Sequence, residues 1–182
     1  MYPPGGPVVG LDLVESERFR GAMARHPRLE ERLFTAAEIA YCRGRGTPVL
    51  HFAARFAAKE AVGKLLGTGV LCWHEIELLA DGPEGGAGGG PPRVILKGRT
   101  AAVARERGIS EVRVSLSHVD SLAGACAVVV AHNIGGAEVE LNNGFEDESV
   151  DVCGRGAGRM TGLFSLAERW GVLAPGQGRG GE

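Results

Sequence analysis

An α+β fold is predicted, on three observations. A β-branched run stands near the N-terminus, helical patterning follows to about residue 66, and strand-length apolar runs replace it after residue 72. The stretch "VVGLDLVES" alternates apolar residues, so residues 8 to 14 are expected as a strand. Ser16 is placed to cap a helix over about 17 to 26, in which Phe19, Ala22 and Met23 form one apolar stripe. "TAAE" at 35 to 38 has capping-box spacing, with Thr35 and Glu38 set to satisfy each other's orphan amides before "IAYC". The longest helix follows in "HFAARFAAKEAVGKLLGTG", residues 51 to 69, where glycine ends it by taking the left-handed conformation past the last turn. "WHEIELLA" and "RVIL" read as strands joined by the loop "DGPEGGAGGGPP", and "GRTAAVARERGI" reads as a helix closed by Gly108. "EVRVSLSH" and "LAGACAVVVA" complete the set as two strands with a turn between them.

The bulk numbers set limits on function. A chain of 182 residues with 44% hydrophobic content can build one domain around its own core. A formal net charge of -2 gives no general attraction to nucleic acid or to an anionic membrane, so neither is expected as a partner and electrostatic recognition must be local. Cys42, Cys72, Cys126 and Cys153 stand singly, without zinc spacing, and are expected as reduced thiols of a cytoplasmic protein. No leader or bilayer-spanning run is evident. The domain is expected to span 1–132. Residues 133–182 are Gly-rich and polar and are expected as a largely disordered extension, apart from "LFSLAERWGVL", where Leu163, Leu166, Ala167 and Trp170 share a helical face.

The long helix carries four charges in an otherwise apolar segment. At 3.6 residues per turn Ala53, Ala57, Glu60 and Lys64 fall on one stripe, and Arg55, Lys59, Val62 and Leu66 on another. Glu60 and Lys64 by themselves fit an ordinary i,i+4 surface pair worth about 0.2–0.5 kcal/mol. Asp12 adds a second observation. It lies within an apolar strand on the side of Val8 and Val14, where an unpaired carboxylate is costly, so it requires a cation. That cation is either a basic side chain or a divalent metal shared with another carboxylate. A hard cation such as Mg²⁺ takes one or two carboxylates and completes its shell with water and phosphate oxygen. With Lys64 and Arg55 such a pair would suit a phosphate ester or anhydride. In "SLSH" the residues Ser115, Ser117 and His118 close a strand, but no G-x-S-x-G elbow marks a hydrolase.

Taken in order, "VGLDLVESERF", "RLFTAAEIAYC", "RFAAKEAVGKLLGTG", "WHEIEL" and "VRVSLSH" resemble the holo-[acyl-carrier-protein] synthases, the short AcpS-type 4'-phosphopantetheinyl transferases, over residues 8 to 131. The resemblance implies the 4'-phosphopantetheinyl transferase fold, an antiparallel sheet packed with a long central helix. It further implies Mg²⁺-dependent transfer of phosphopantetheine from coenzyme A to a serine of an apo acyl carrier protein, releasing adenosine 3',5'-bisphosphate, in a homotrimer with interfacial active sites.

Residue by residue, the resemblance makes Asp12 and Glu60 the metal ligands and Lys64 a phosphate contact that assists the leaving group. Arg55 and His118 become contacts for the coenzyme A phosphates, and Glu60 a candidate base. Arg18, Arg25 and Arg28 become the docking face for the acidic carrier, in place of a merely solvated basic face. The alanines above Glu60 are expected to leave room for the coenzyme. Val119 follows His118 where some members carry an acid, which puts a metal contribution from Asp120 in doubt. Lys59 has no role, and the carrier is not identified. A noncatalytic carrier-protein or coenzyme-binding module of the same fold is the alternative, against which intact Asp12, Glu60 and Lys64 weigh.

Overall fold

The computed structural model describes residues 9–79 and 92–130. Five strands form one antiparallel sheet in the order β1-β5-β4-β3-β2. These are β1 (Val9–Glu15), β2 (Ile76–Leu79), β3 (Arg93–Leu96), β4 (Val112–His118) and β5 (Leu122–Val129). The helices are α1 (Ser16–Arg25), α2 (Leu29–Leu33), α3 (Ala36–Arg43), α4 (Pro48–Leu65) and α5 (Gly98–Glu106). The α+β architecture, with an antiparallel sheet against a long central helix, is as the sequence predicts.

Helix α4 lies across β1, β5 and β4 and is buried over most of its length. It can approach closely because the facing residues of β5 are Ala123, Ala125 and Ala127. The closest contact is at Gly10 of β1, where a β-carbon would fall 1.9 Å from the Ala61 carbonyl oxygen. Any side chain there would push strand and helix apart.

Ala53 and Ala57 are fully buried in this core, which corrects the expectation that they leave room for a coenzyme. Their small size serves helix-on-sheet packing instead. The helix also begins earlier than its alanine-rich pattern suggests, because Pro48 occupies the first turn, where its fixed φ and missing N–H carry no penalty. Its end is as expected, with Gly67 at φ 64° and Gly69 at φ 67°.

The Thr35–Glu38 capping box is formed, with Thr35 N donating to Glu38 Oε2 at 2.9 Å and Glu38 N donating to Thr35 Oγ1 at 3.3 Å. Glu38 does more than cap. Its Oε1 accepts from Leu78 N at 3.2 Å, and Lys59 Nζ donates to its Oε2 at 2.7 Å. Lys59 Nζ also donates to the carbonyls of Leu33 at 2.8 Å and Trp73 at 2.9 Å, so all three of its protons are used. The residue left without a role by the sequence ties α4 to α2, α3 and the Trp73 segment, with both side chains of the pair fully buried.

Four local expectations fail. Ser16 is not the cap: it is the first residue of α1 behind Glu15, and its buried Oγ has no hydrogen-bond partner. Helix α2 was not anticipated, its five residues being too few for a helical period to register. Trp73–Glu75 is a 3-10 turn and not strand, because the Glu75 carboxylate turns to cap α5, accepting from Arg99 N, Thr100 N and Thr100 Oγ1 at 3.2, 2.9 and 2.7 Å. Cys72 is disulfide-bonded, whereas Cys42 and Cys126 are free as expected. The glycine-rich loop and the 133–182 extension lie outside the described residues. Among the described residues no helix is long and apolar enough to cross a membrane.

Candidate functional site

Asp12 sits in the middle of β1 opposite Ala125, on the face that meets α4. Lys64, in the last turn of α4, reaches it. Its Nζ donates to Asp12 Oδ1 at 2.7 Å and to the Leu11 carbonyl at 3.1 Å. The cation that Asp12 requires is therefore supplied by Lys64 in this state. The Lys64 side chain remains about half exposed.

Glu60, one turn earlier on the same stripe, is 8% exposed, and its Oε1 makes no hydrogen bond. Burial, and then the negative charge of Asp12, push its carboxyl up to about 7 against the pull of Lys64. Burial likewise raises the Asp12 carboxyl, with Lys64 opposing. Two carboxylates that repel each other, one with an orphaned buried oxygen, form a donor set that a hard divalent cation would satisfy. No group of three or more His, Cys, Asp and Glu suited to a metal occurs among the described residues. Asp12 and Glu60 are the carboxylates of the described residues that would face such an ion. Asp120 lies on an exposed turn beyond β4.

Arg55 stands apart from this pair, as the helical stripes require. It is 3% exposed, its guanidinium carbon lies 3.8 Å from the centre of the Tyr41 ring, and its Nε has no hydrogen-bond partner. Arg45 stacks on the same ring at 4.2 Å. His51, in the first turns of α4, meets Tyr41 edge-on at 6.2 Å and His118 edge-on at 5.0 Å. The sequence singled out Arg55 and His118 but gave no sign that Tyr41, Arg45 and His51 join them.

Sheet register relates the two groups. His118 pairs with Ala123, which pairs with Val14, while Asp12 pairs with Ala125, which pairs with Leu116. Directly paired residues point to one face, so Asp12 and His118 both face α4. Two strand spacings across and two residues along separate their backbones by about 12 Å. An elongated ligand with charge at two places would span that distance.

The three arginines of the expected docking face lie near one another in the chain but differ in setting. Arg18 is half-buried and 3.9 Å from Glu15, Arg25 is exposed in the last turn of α1, and Arg28 is exposed ahead of α2.

Comparison with known proteins bears on this arrangement. Residues 8–89 match the model of the 4'-phosphopantetheinyl transferase superfamily. The holo-[acyl-carrier-protein] synthase of Moorella thermoacetica is 48% identical over 122 residues, which cover 66% of this chain and 91% of that one. Its counterpart from Desulforudis audaxviator is 49% identical over 125 residues, covering 67% and 91%. Among solved structures, the Neisseria meningitidis holo-[acyl-carrier-protein] synthase superposes with a TM-score of 0.58 at 28% identity, over 68% of this chain and 97% of that one. The Helicobacter pylori enzyme, solved in complex with coenzyme A, gives 0.54 at 25% identity, over 67% and 99%.

Proposed function

Since the chain belongs to the holo-[acyl-carrier-protein] synthase family, we propose that it transfers the 4'-phosphopantetheine group of coenzyme A to a serine hydroxyl of an apo acyl carrier protein, in a Mg²⁺-dependent reaction. The observation that carries the site assignment is the orphaned Glu60 Oε1 beside Asp12, with Lys64 bonded to Asp12. Asp12 and Glu60 would hold the ion, which when bound supplies positive charge to the phosphates.

The serine oxygen forms a bond to the β-phosphorus as the bond from that phosphorus to the bridging oxygen breaks, and adenosine 3',5'-bisphosphate leaves with that oxygen. Lys64 turns from Asp12 to the phosphate oxygens and stabilises the charge that develops on the leaving group. A water held by Glu60 takes the serine proton, with Glu60 acting as the base through it. Arg55 and His118 hold a second phosphate of the coenzyme, and fixing both ends of an elongated substrate brings the reacting atoms into line. The carrier docks through its acidic surface on Arg18, Arg25 and Arg28.

A homotrimer with interfacial active sites is part of the same reading. It is supported by the outer face of the sheet, where Val9, Leu11 and Leu13 of β1 are 61%, 60% and 55% exposed and stand beside Val128 of β5 at 41%. An apolar strip of this kind on one sheet face marks an interaction surface.

Incubation of the protein with coenzyme A, Mg²⁺ and a panel of apo carriers is expected to add the phosphopantetheine mass to at least one carrier. Binding of coenzyme A with no mass increment on any carrier would overturn the transferase reading in favour of a binding module. Omission of Mg²⁺ with chelator present is expected to abolish the increment.

A further inference from the structure

Helix α4 starts without a side-chain cap at Thr47 and without an acid in its first turn. Its N-terminal turn carries the positive end of the helix dipole, and Arg45 stands in the loop before it. His51 projects from this end toward Tyr41 of α3 and His118 of β4. The charged groups that act on His51 are His118 from β4, Arg55 from α4 and Arg45 from the loop before it, all basic. Neither His51 nor His118 hydrogen-bonds to another described residue. Arg55, almost fully buried, has an unpartnered Nε. His51, His118 and Arg55, basic groups with hydrogen-bonding capacity to spare, call for an anion.

We propose that His51 is a contact for a phosphate monoester of the substrate, paired with His118, and that it takes up a proton when that phosphate binds. The proposal rests on the reading of Arg55 and His118 as contacts for the coenzyme A phosphates and extends it to a residue with no acknowledged part. The group of coenzyme A with this chemistry is the phosphate monoester on its ribose, which carries close to two negative charges at neutral pH.

The proton has a physical origin. In the free protein, burial and then the fields of His118, Arg55 and Arg45 hold the His51 imidazole below its usual range, so at pH 7 it is neutral. A dianion placed between these groups reverses the field and draws a proton onto the ring. Binding coupled to proton uptake strengthens as pH falls, between the imidazole's bound and free midpoints. His51 thereby makes the protein more selective for the phosphorylated coenzyme on the acid side of neutrality.

The test is titration calorimetry of coenzyme A and of 3'-dephospho-coenzyme A, with Mg²⁺, in buffers of different ionisation enthalpy between pH 6.5 and 8. It compares the wild type with His51→Phe, which keeps a ring against Tyr41 and His118 and cannot titrate. For coenzyme A the variant is expected to bind about tenfold more weakly at pH 6.5, as for loss of one hydrogen bond to a charged group. It should also take up less proton than the wild type. For the dephospho ligand the two proteins should agree within twofold. Equal affinity for coenzyme A, equal proton uptake, or an equal loss on both ligands would each overturn the role of His51. Failure of the wild type to bind coenzyme A at all would overturn the substrate reading itself, a result distinct from the other three.

Discussion

Replacing Lys59 by Met removes the ammonium from the most enclosed polar cluster in the described residues while keeping an unbranched chain of similar length. Three hydrogen bonds go with it: to Glu38 Oε2 and to the carbonyls of Leu33 and Trp73. The Glu38 carboxylate then remains fully buried with only the amides of Thr35 and Leu78 to hold it. Removing one member of a buried pair typically costs about 3–5 kcal/mol, a large share of the roughly 5–15 kcal/mol that stabilises a domain. Urea denaturation at one fixed protein concentration is expected to show that loss. A second change, Glu38→Gln, should recover part of it, because the uncompensated charge is gone. Transfer activity per folded molecule should stay within threefold, since Lys59 is sealed from the site by its own partners. A loss below 1 kcal/mol, or a fall in activity beyond the fall in folded fraction, would refute the structural assignment of Lys59.

Other expectations concern the site and its surfaces. Lys64→Ala should lower transfer about 10²- to 10³-fold in a steady-state assay, beyond any fall in folded fraction from leaving the mostly buried Asp12 without its cation. In chelator, the Glu60 carboxyl, raised to about 7 in the fold, keeps a proton that the unfolded chain releases near the ordinary carboxylate range. Its stabilising contribution is then complete at low pH and is lost as pH rises through about 7. Relative to Glu60→Gln, the wild type should lose about 3 kcal/mol between pH 4.5 and 8 in denaturation curves, and parallel curves would contradict this. Leu11→Asp should reduce the mass measured by light scattering to that of a monomer if the outer strip of β1 is a subunit contact. Arg25→Glu should raise KM for the carrier without changing KM for coenzyme A, with the difference shrinking as salt rises.

What the sequence revealed depended on how far apart the partners lie in the chain. The Thr35–Glu38 box and the glycine stop after α4 are written within a few residues and were legible. Asp12 was legible as a problem, a carboxylate in an apolar strand, and Lys64 proved to be its neighbour across 52 residues. Helical periodicity correctly kept Arg55 away from Glu60. It could not tell an alanine stripe turned to a ligand from one turned to a sheet, because both demand small residues, and so Ala53 and Ala57 were misread. Glu38 was read only as a cap and Lys59 was left without a role, because their meeting across 21 residues depends on how α4 packs beside α3. The meeting of His51 with His118 depends on how β4 lies beside the start of α4, which no local pattern encodes.

The absent β-carbon at Gly10 fixes more than a packing distance. Gly10 precedes Asp12 by one strand repeat on the same face, and the Ala61 carbonyl it touches belongs to the residue after Glu60. The two carboxylates are thus mounted on either side of a backbone-to-backbone contact that has no soft side chain to compress. Their spacing behaves as a machined gap, insensitive to changes elsewhere in the core but exposed to a single methyl group. Gly10→Ala would leave every candidate site residue in the chain and still force Asp12 and Glu60 apart.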